Sequence, residues 1–97
     1  MNEAKSRAAI FREPLRPERL EAFVSRPGHG AVASFIGTVR DNHEGKTVSA
    51  VTYDAFEPLA AKVLGEIASE AAARFGARVA AEHRMGRLAV GEASVAI

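Results

Sequence analysis

The chain has 97 residues, of which 47% are apolar and 26% are charged, and its formal net charge is +1. This composition predicts one folded domain, residues 1–97, and excludes a disordered chain. A net charge this close to zero gives no general attraction for nucleic acid or for an anionic membrane. Because the sequence has no cysteine, it cannot form disulfides, thiolate metal sites or a cysteine nucleophile.

Neither a membrane span nor a signal peptide is evident in the sequence. No apolar run is long enough to cross a bilayer, and the charged segment 1–7 has no apolar stretch behind it. We therefore expect a cytoplasmic protein. The apolar residues are mainly alanine and valine, so an isolated core would be thin, and we expect a protein partner or an oligomer.

The first half of the chain predicts a strand, a helix and a second strand. Residues 8–11 are a short apolar run, and Pro17 suits the first turn of a helix. Residues 31–39 carry no charge, which predicts a strand covered on both faces. Gly37 lies inside that run and predicts a bulge or the close approach of another group. Residues 48–53 predict a strand that forms a hairpin with the run 31–39.

A long helix follows, beginning at Glu57-Pro58 and ending before Gly76. Its apolar stripe comprises Leu59, Val63, Leu64, Ile67, Ala68, Ala71 and Phe75. Residues 79–85 and 93–97 predict two further strands. The resulting order is β-α-β-β-α-β-β, which favours an α+β fold with a mixed, largely antiparallel sheet. A ferredoxin-like arrangement has the same order of elements.

Arg40 is the strongest candidate for a binding residue. It lies where a strand gives way to the loop 41–46, and its guanidinium group matches the geometry of phosphate or carboxylate. His43 and Lys46 lie on the same loop and add positive charge. The alternative is an ordinary solvated hairpin, because surface arginines are common.

A second basic pair, His83-Arg84, lies in the strand 79–85. Adjacent side chains on a strand face opposite ways, so only one of them can face a given pocket. We favour a structural role for the pair, on a half-buried edge strand. The three histidines have no spacing typical of a metal site, so we expect no metal.

Three segments in order resemble the catalytic (large) subunit of molybdopterin synthase. They are Gly30-Ala31-Val32-Ala33-Ser34-Phe35-Ile36-Gly37-Thr38-Val39-Arg40-Asp41, Tyr53-Asp54-Ala55-Phe56-Glu57-Pro58-Leu59-Ala60, and His83-Arg84-Met85-Gly86-Arg87-Leu88 with Val90-Gly91-Glu92. The resemblance extends from about Ala8 to the end of the chain. One such segment is a weak signal, whereas three in the same order are specific.

The resemblance implies a two-layer α/β hammerhead-like fold and a homodimer flanked by small ubiquitin-like sulfur-carrier subunits. Each carrier inserts a Gly-Gly tail, activated as a thiocarboxylate, and its sulfur passes to a cyclic pyranopterin monophosphate to form molybdopterin. No cofactor is implied, because the product is itself the precursor of the molybdenum cofactor. By the same resemblance, Arg40 binds the anionic substrate, Phe35 lines the same region, and the loop bearing His43 lies at its rim.

The sequence departs from the family pattern in two places. Many members have asparagine three residues after the arginine, where this chain has His43 preceded by Asn42. Members of the family also continue past the last strand into a segment that carries the catalytic lysines. We therefore expect the chain to be truncated at its C-terminus relative to the family, with no catalytic residue before Ile97. Two other functions remain open: a non-catalytic module that keeps a dimer or carrier-binding surface, and a ferredoxin-like regulatory domain that binds an anionic metabolite.

Overall fold

The structure is a computed structural model that describes residues 5–97. Residues 1–4, which are part of the charged segment considered for a signal peptide, lie outside the described residues. The described strands are Ser6–Phe11 (β1), Ile36–Thr38 (β2), Asn42–His43 (β3), Lys46–Thr47 (β4), Ala50–Tyr53 (β5), Val79–Arg84 (β6), Gly86–Ala89 (β7) and Ala93–Ala96 (β8). The helices are Pro17–Val24 (α1) and Glu57–Phe75 (α2). Neither helix is both long and apolar enough to span a membrane.

The main sheet has four strands in the order β1-β6-β8-β2, and two separate two-stranded ladders join β3 to β4 and β5 to β7. Only β1 and β6 pair in parallel; every other pair is antiparallel. This arrangement confirms the predicted α+β class with a mixed, largely antiparallel sheet. The predicted edge position of the strand bearing His83 and Arg84 is wrong, because β6 lies between β1 and β8.

The hairpin predicted between residues 31–39 and 48–53 does not form. Instead, β2 pairs with β8, and β5 pairs with β7. The loop between them folds back as its own short ladder, β3 with β4. The sequence analysis predicts no strand between residues 85 and 93, yet β7 forms there, and its pairing with β5 places Val51 opposite Leu88, which is completely buried. The burial of that leucine favours the observed pairing over the local one.

The strand predicted over residues 31–39 is shorter than expected and is not covered on both faces. Only Ile36–Thr38 form β2, and Val32 and Phe35 are 48% and 61% exposed. The physical reason is that β2 lies at the edge of the sheet, where β8 is its single neighbour. The prediction for Gly37 is confirmed. A bulge falls between Gly37 and Thr38, and a Cβ atom at Gly37 would lie 2.7 Å from Val95 Cγ1.

Helix α2 packs along β1 and β6 through small residues. It buries Ala68 and Ala72, whereas Leu59, Val63 and Ile67 on the predicted apolar stripe are 44–58% exposed. Because alanines allow the helix axis to approach the sheet closely, the larger side chains lie beside the contact rather than in it. The predicted end of the helix at Gly76 is confirmed.

The core is thin, as the composition predicts. Nine apolar residues of the described chain are buried, and five of them are alanines. The radius of gyration is 14.9 Å, compared with about 12.5 Å for a compact domain of this length. The domain is therefore elongated and leaves much of its apolar surface in contact with solvent.

Helix α1 is fixed to the central strand by a buried carboxylate. Leu20 packs with Ala80 and Ala96, and beside this cluster the Arg19 guanidinium donates two hydrogen bonds to Glu82, of 2.7 and 2.9 Å. The Glu82 side chain is only 4% exposed. A carboxylate buried to this extent needs such a partner, since an unpaired buried charge is strongly destabilising.

Glu92 joins three parts of the chain at the turn between β7 and β8. Its carboxylate accepts hydrogen bonds from the Ala89 amide (2.8 Å) and from Arg84 Nη1 (2.7 Å), while its backbone carbonyl accepts one from the Val39 amide (3.0 Å). The bond from Ala89, followed by that from Arg84, holds the pKa of Glu92 below its usual value. The ionised carboxylate therefore stabilises this turn.

Replacing Gly37 by alanine is expected to destabilise the fold by about 1–3 kcal/mol, because the new methyl group collides with the stiff side chain of Val95. Urea unfolding measures the change. In the double variant Gly37→Ala/Val95→Ala the collision is removed, so its cost should be less than the sum of the two single costs. Gly65→Ala is the matched control: open space surrounds that helical position, and stability should rise. Additive single costs would contradict the proposed collision.

The substitution Glu92→Gln is expected to lower Tm at pH 7 and to matter progressively less in acid. Because the folded-state pKa of Glu92 is lowered, its contribution is fully present above the unfolded pKa of about 4.3 and is lost as the pH falls through the folded value. Thermal unfolding between pH 7 and pH 3 measures the difference from the unsubstituted chain. Glu66→Gln, at an exposed position on α2, is the control. A Tm difference for Glu92→Gln that stays constant with pH would show that the charge has no role.

Candidate functional site

Arg40 stands at a fixed point of the backbone. The preceding residue, Val39, is 4% exposed, and it exchanges backbone hydrogen bonds with the turn before β8: its amide donates to Glu92 (3.0 Å), and its carbonyl accepts from Gly91 (2.8 Å). Arg40 itself is exposed. A buried anchor therefore holds the base of an exposed arginine, which limits where the guanidinium group can reach.

The loop after Arg40 is a tight hairpin rather than an open loop. Asn42 and His43 pair with Thr47 and Lys46, and the two residues at the tip, Glu44 and Gly45, have φ angles of 51° and 79°. Two positive φ angles are the pattern of a type I′ turn, which glycine adopts readily and glutamate adopts at some cost. The hairpin brings His43 back towards Arg40.

Arg40 and His43 are in direct contact. Arg40 Nη2 lies 3.3 Å from His43 Nδ1, a long hydrogen bond in which the guanidinium donates and the imidazole nitrogen accepts. His43 Nε2 lies 3.8 Å from Glu44 Oε1 on the other side of the ring. No carboxylate pairs with Arg40 among residues 5–97. Its other guanidinium N–H groups are thus available to a ligand.

An open cleft of about 240 Å³ lies beside this pair. Its lining residues come from β2, the β3–β4 hairpin and β5: Thr38, Val39, Arg40, Asn42, His43, Val48, Val51 and Tyr53. Arg40 supplies the cationic side, His43 adds a polar ring beside it, valines supply an apolar side, and no acidic residue lines the cleft. Such a lining suits a small anion that also carries an apolar part.

Phe35 does not join Arg40 and His43. It lies at the opposite end of β2, where its amide and carbonyl exchange hydrogen bonds of 2.8 and 2.9 Å with Ile97. Its ring is exposed and does not line the Arg40 cleft. The structure thus brings together two of the three predicted substrate-binding residues.

The second basic pair has structural contacts. Arg84 donates to Glu92 and to the Arg12 carbonyl (2.9 Å), and its side chain is 12% exposed. His83 Nδ1 lies 3.0 Å from the Arg84 carbonyl, and its ring meets Tyr53 edge to face at 5.4 Å. In the part of the chain that the structure describes, no group of three or more His, Asp or Glu side chains could hold a metal ion.

Two residues of this region escaped the functional analysis of the sequence. Both belong to segments that resemble the family, but the sequence gives neither of them a functional role, yet Tyr53 lines the cleft and Glu92 holds its base. Tyr53 is the one tyrosine in the chain and stands at the end of a strand, which is the signal that could have identified it. Glu92 carries no comparable signal, because its partners are distant in sequence.

A second, larger cavity of about 530 Å³ lies at the other end of β2. It is bounded by α1, the segment 28–34, the residues after α2 and Ile97. Its lining is mainly apolar and includes Leu20, Val24 and Val32. Arg78 and His29 also line this larger cavity, so it has a basic pair of its own. Arg78 differs from Arg40 in its contacts: its Nε donates to the Phe23 carbonyl at 3.0 Å and its guanidinium lies 4.4 Å over the Phe23 ring. Glu21 adds an acidic group, which the Arg40 cleft does not have.

Comparison with known proteins identifies relatives along almost the whole chain. The family model described as MoaE protein matches residues 10–97. The molybdopterin synthase catalytic subunit of Bacillus subtilis is 38% identical over 92 residues, which cover 94% of this chain and 59% of that protein. The subunit of the same name from Coccidioides immitis is 42% identical over 85 residues, which cover 87% of this chain and 43% of that protein.

Among solved structures, the crystal structure of molybdopterin synthase from Staphylococcus aureus superposes with a TM-score of 0.81 at 28% sequence identity. The match covers 91% of this chain and 65% of that one. The chain spans about half the length of the curated relatives it matches. With a family model that covers nearly the entire sequence and a shared fold, the chain belongs to the MoaE protein family.

Proposed function

We propose that this chain forms the substrate-holding part of a molybdopterin synthase catalytic subunit, an enzyme of molybdenum cofactor biosynthesis. Sulfur passes from the thiocarboxylated tail of a small carrier protein to a cyclic pyranopterin monophosphate. The observation that carries the proposal is Arg40, which has no carboxylate partner in the described chain and borders a cleft without acidic lining residues. The geometry of such a fork of donors matches the oxygens of a phosphate monoester as well as those of a carboxylate.

In this proposal the residues of the chain bind the substrate and do not perform the sulfur transfer. Arg40 binds the phosphate, and His43 accepts a hydrogen bond from Arg40 and so orients the guanidinium group. Val48 and Val51 give the cleft an apolar side against which the organic part of the substrate rests. Phe35, at the far end of β2, lies too far along the strand for this cleft and would contact only a larger ligand or a partner.

The partners follow from the same proposal. The catalytic subunit acts as a homodimer with two ubiquitin-like sulfur carriers that end in Gly-Gly, in the cytoplasm and without a bound cofactor. Exposed apolar residues at the start of α2 and along it support a protein-binding surface, since Phe56, just before the helix, and Leu59 and Ile67 within it are 56–73% exposed. That surface also favours a second candidate function, a non-catalytic module that retains a dimer or carrier-binding surface.

The substitution Arg40→Ala is expected to raise KM for the pyranopterin phosphate at least about tenfold, because a hydrogen bond to a charged group is lost. The measurement is steady-state synthase activity of the protein that carries this chain, with its thiocarboxylated carrier. Arg40→Lys should recover only part of the loss, since lysine lacks the fork geometry. Arg16→Ala is the matched control, because Arg16 is equally exposed and lines none of the cavities described above.

Unchanged kinetics in Arg40→Ala would contradict the substrate-binding role. The second candidate function predicts a different result: the protein co-purifies with a Gly-Gly-ended carrier, and no product forms with or without Arg40. A ligand that raises Tm in the absence of any carrier, with no sulfur transfer, would instead support a regulatory domain that binds an anionic metabolite.

A further inference from the structure

Tyr53 shares the cleft with Arg40, and its hydroxyl group is unused. The residue stands at the end of β5 and is half-buried. Its hydroxyl makes no hydrogen bond to any other residue in the range 5–97, and it is not among the buried polar atoms. A half-buried tyrosine usually finds a partner for this group. Because Tyr53 lines the cleft, this unpaired hydroxyl is a candidate donor to a ligand bound there.

The ring of Tyr53 is held in place by a histidine on the central strand. The His83 ring meets it edge to face, with an interplanar angle of 72° and a centroid distance of 5.4 Å. The Nδ1–H group of His83 donates to the Arg84 carbonyl at 3.0 Å, which fixes the imidazole on the central strand. The backbone of Tyr53 is fixed as well, because it pairs with Gly86 in the β5–β7 ladder. The phenol is therefore preorganised, and binding a ligand through it costs little side-chain entropy.

We propose that Tyr53 is a specificity-determining residue that makes the Arg40 cleft prefer phosphate monoesters to carboxylates. This inference rests on the proposed function, because it takes Arg40 to bind the anionic group of the substrate. The guanidinium fork donates to two oxygens of an anion. A carboxylate has only two, so the fork occupies both of them. A phosphate monoester presents a third terminal oxygen, which accepts the hydrogen bond from Tyr53.

No acidic residue of the cleft lining competes for that hydroxyl. Asp54 follows Tyr53 directly but does not line the cleft. Near Arg40, Asp41 accepts from Asn42 Nδ2 at 2.9 Å, and Glu44 lies beside His43 at the tip of the hairpin. The other hydroxyl in the lining, that of Thr38, belongs to the edge strand β2. Tyr53 is thus the one phenolic donor of the cleft, and its removal should alter selectivity between anions rather than binding in general.

The test compares inorganic phosphate with acetate as probes for the protein that carries this chain. Amide chemical shifts of Asn42 and His43 give Kd for each anion. Tyr53→Phe keeps the ring and its contact with His83, so the fold is retained. We expect Kd for phosphate to rise about tenfold and Kd for acetate to change by less than twofold. Equal weakening of both anions, no change for phosphate, or no binding of phosphate by the unsubstituted protein would overturn the inference.

Tyrosine fluorescence supplies an independent readout, because the chain has one tyrosine and no tryptophan. Phosphate should change the emission of Tyr53 with the same Kd as the amide titration, and Arg40→Ala should abolish that change. His83 acts as a positioning residue: His83→Ala should weaken phosphate binding, whereas His83→Phe, which keeps an aromatic edge, should restore it. In the Tyr53→Phe background His83→Ala should have no further effect on phosphate. An equal effect in both backgrounds would contradict the positioning role.

The two proposals fail in distinguishable ways. If Arg40→Ala raises KM for the pyranopterin phosphate but Tyr53→Phe does not alter the preference for phosphate over acetate, the inference about Tyr53 is wrong and the proposed function stands. If the preference depends on Tyr53 but no sulfur transfer is found in the protein with its carrier, the anion site stands and the proposed function is wrong.

Discussion

The carboxylate of Glu92 connects the candidate site to the rest of the fold. Through Arg84 it reaches the central strand β6, through the Ala89 amide it closes the turn after β7, and through its own backbone it holds Val39. Arg40 follows Val39 directly. The position of the guanidinium group therefore depends on a hydrogen-bond network with a charged carboxylate at its centre. Because the core of this domain is thin, the network positions the backbone at the site, a role that side-chain packing has in larger proteins.

The site also illustrates how a small fold can combine rigidity and access. Strands β5 and β7 form a ladder that buries Leu88, and this ladder carries Tyr53 to one side of the cleft. The β3–β4 hairpin carries His43 to the other side, with positive φ angles at Glu44 and Gly45. Both elements are short and separate from the main sheet. Their side chains can therefore contact a ligand without loss of the backbone pairing that positions them.

The sequence predicts the features that have local signals, such as helix ends. It does not predict which strands pair when the partners are far apart in the chain. The start of α2 at Glu57, its end at Gly76 and the close approach at Gly37 follow from the chemistry of single residues. The pairing of β2 with β8 could not be predicted, because the partners are separated by more than fifty residues and the nearer strand β5 was an equally plausible partner. Arg40 and His43 were predicted to lie together because they are three residues apart in one loop. Tyr53 and Glu92 reach the site only through tertiary contacts, so their roles were not predicted.

In the proposed function the Arg40 cleft, rather than the larger cavity at the other end of β2, holds the phosphate of the substrate. The most direct measurement is an NMR titration of the ¹⁵N-labelled protein with the pyranopterin phosphate, recording the arginine Nε–Hε signals. If Arg40 binds the phosphate, its signal should shift in a saturable way together with the Asn42 and Tyr53 amides. Saturable shifts confined to residues of the larger cavity, such as Val24 and Val32, with Arg40 unchanged, would contradict it.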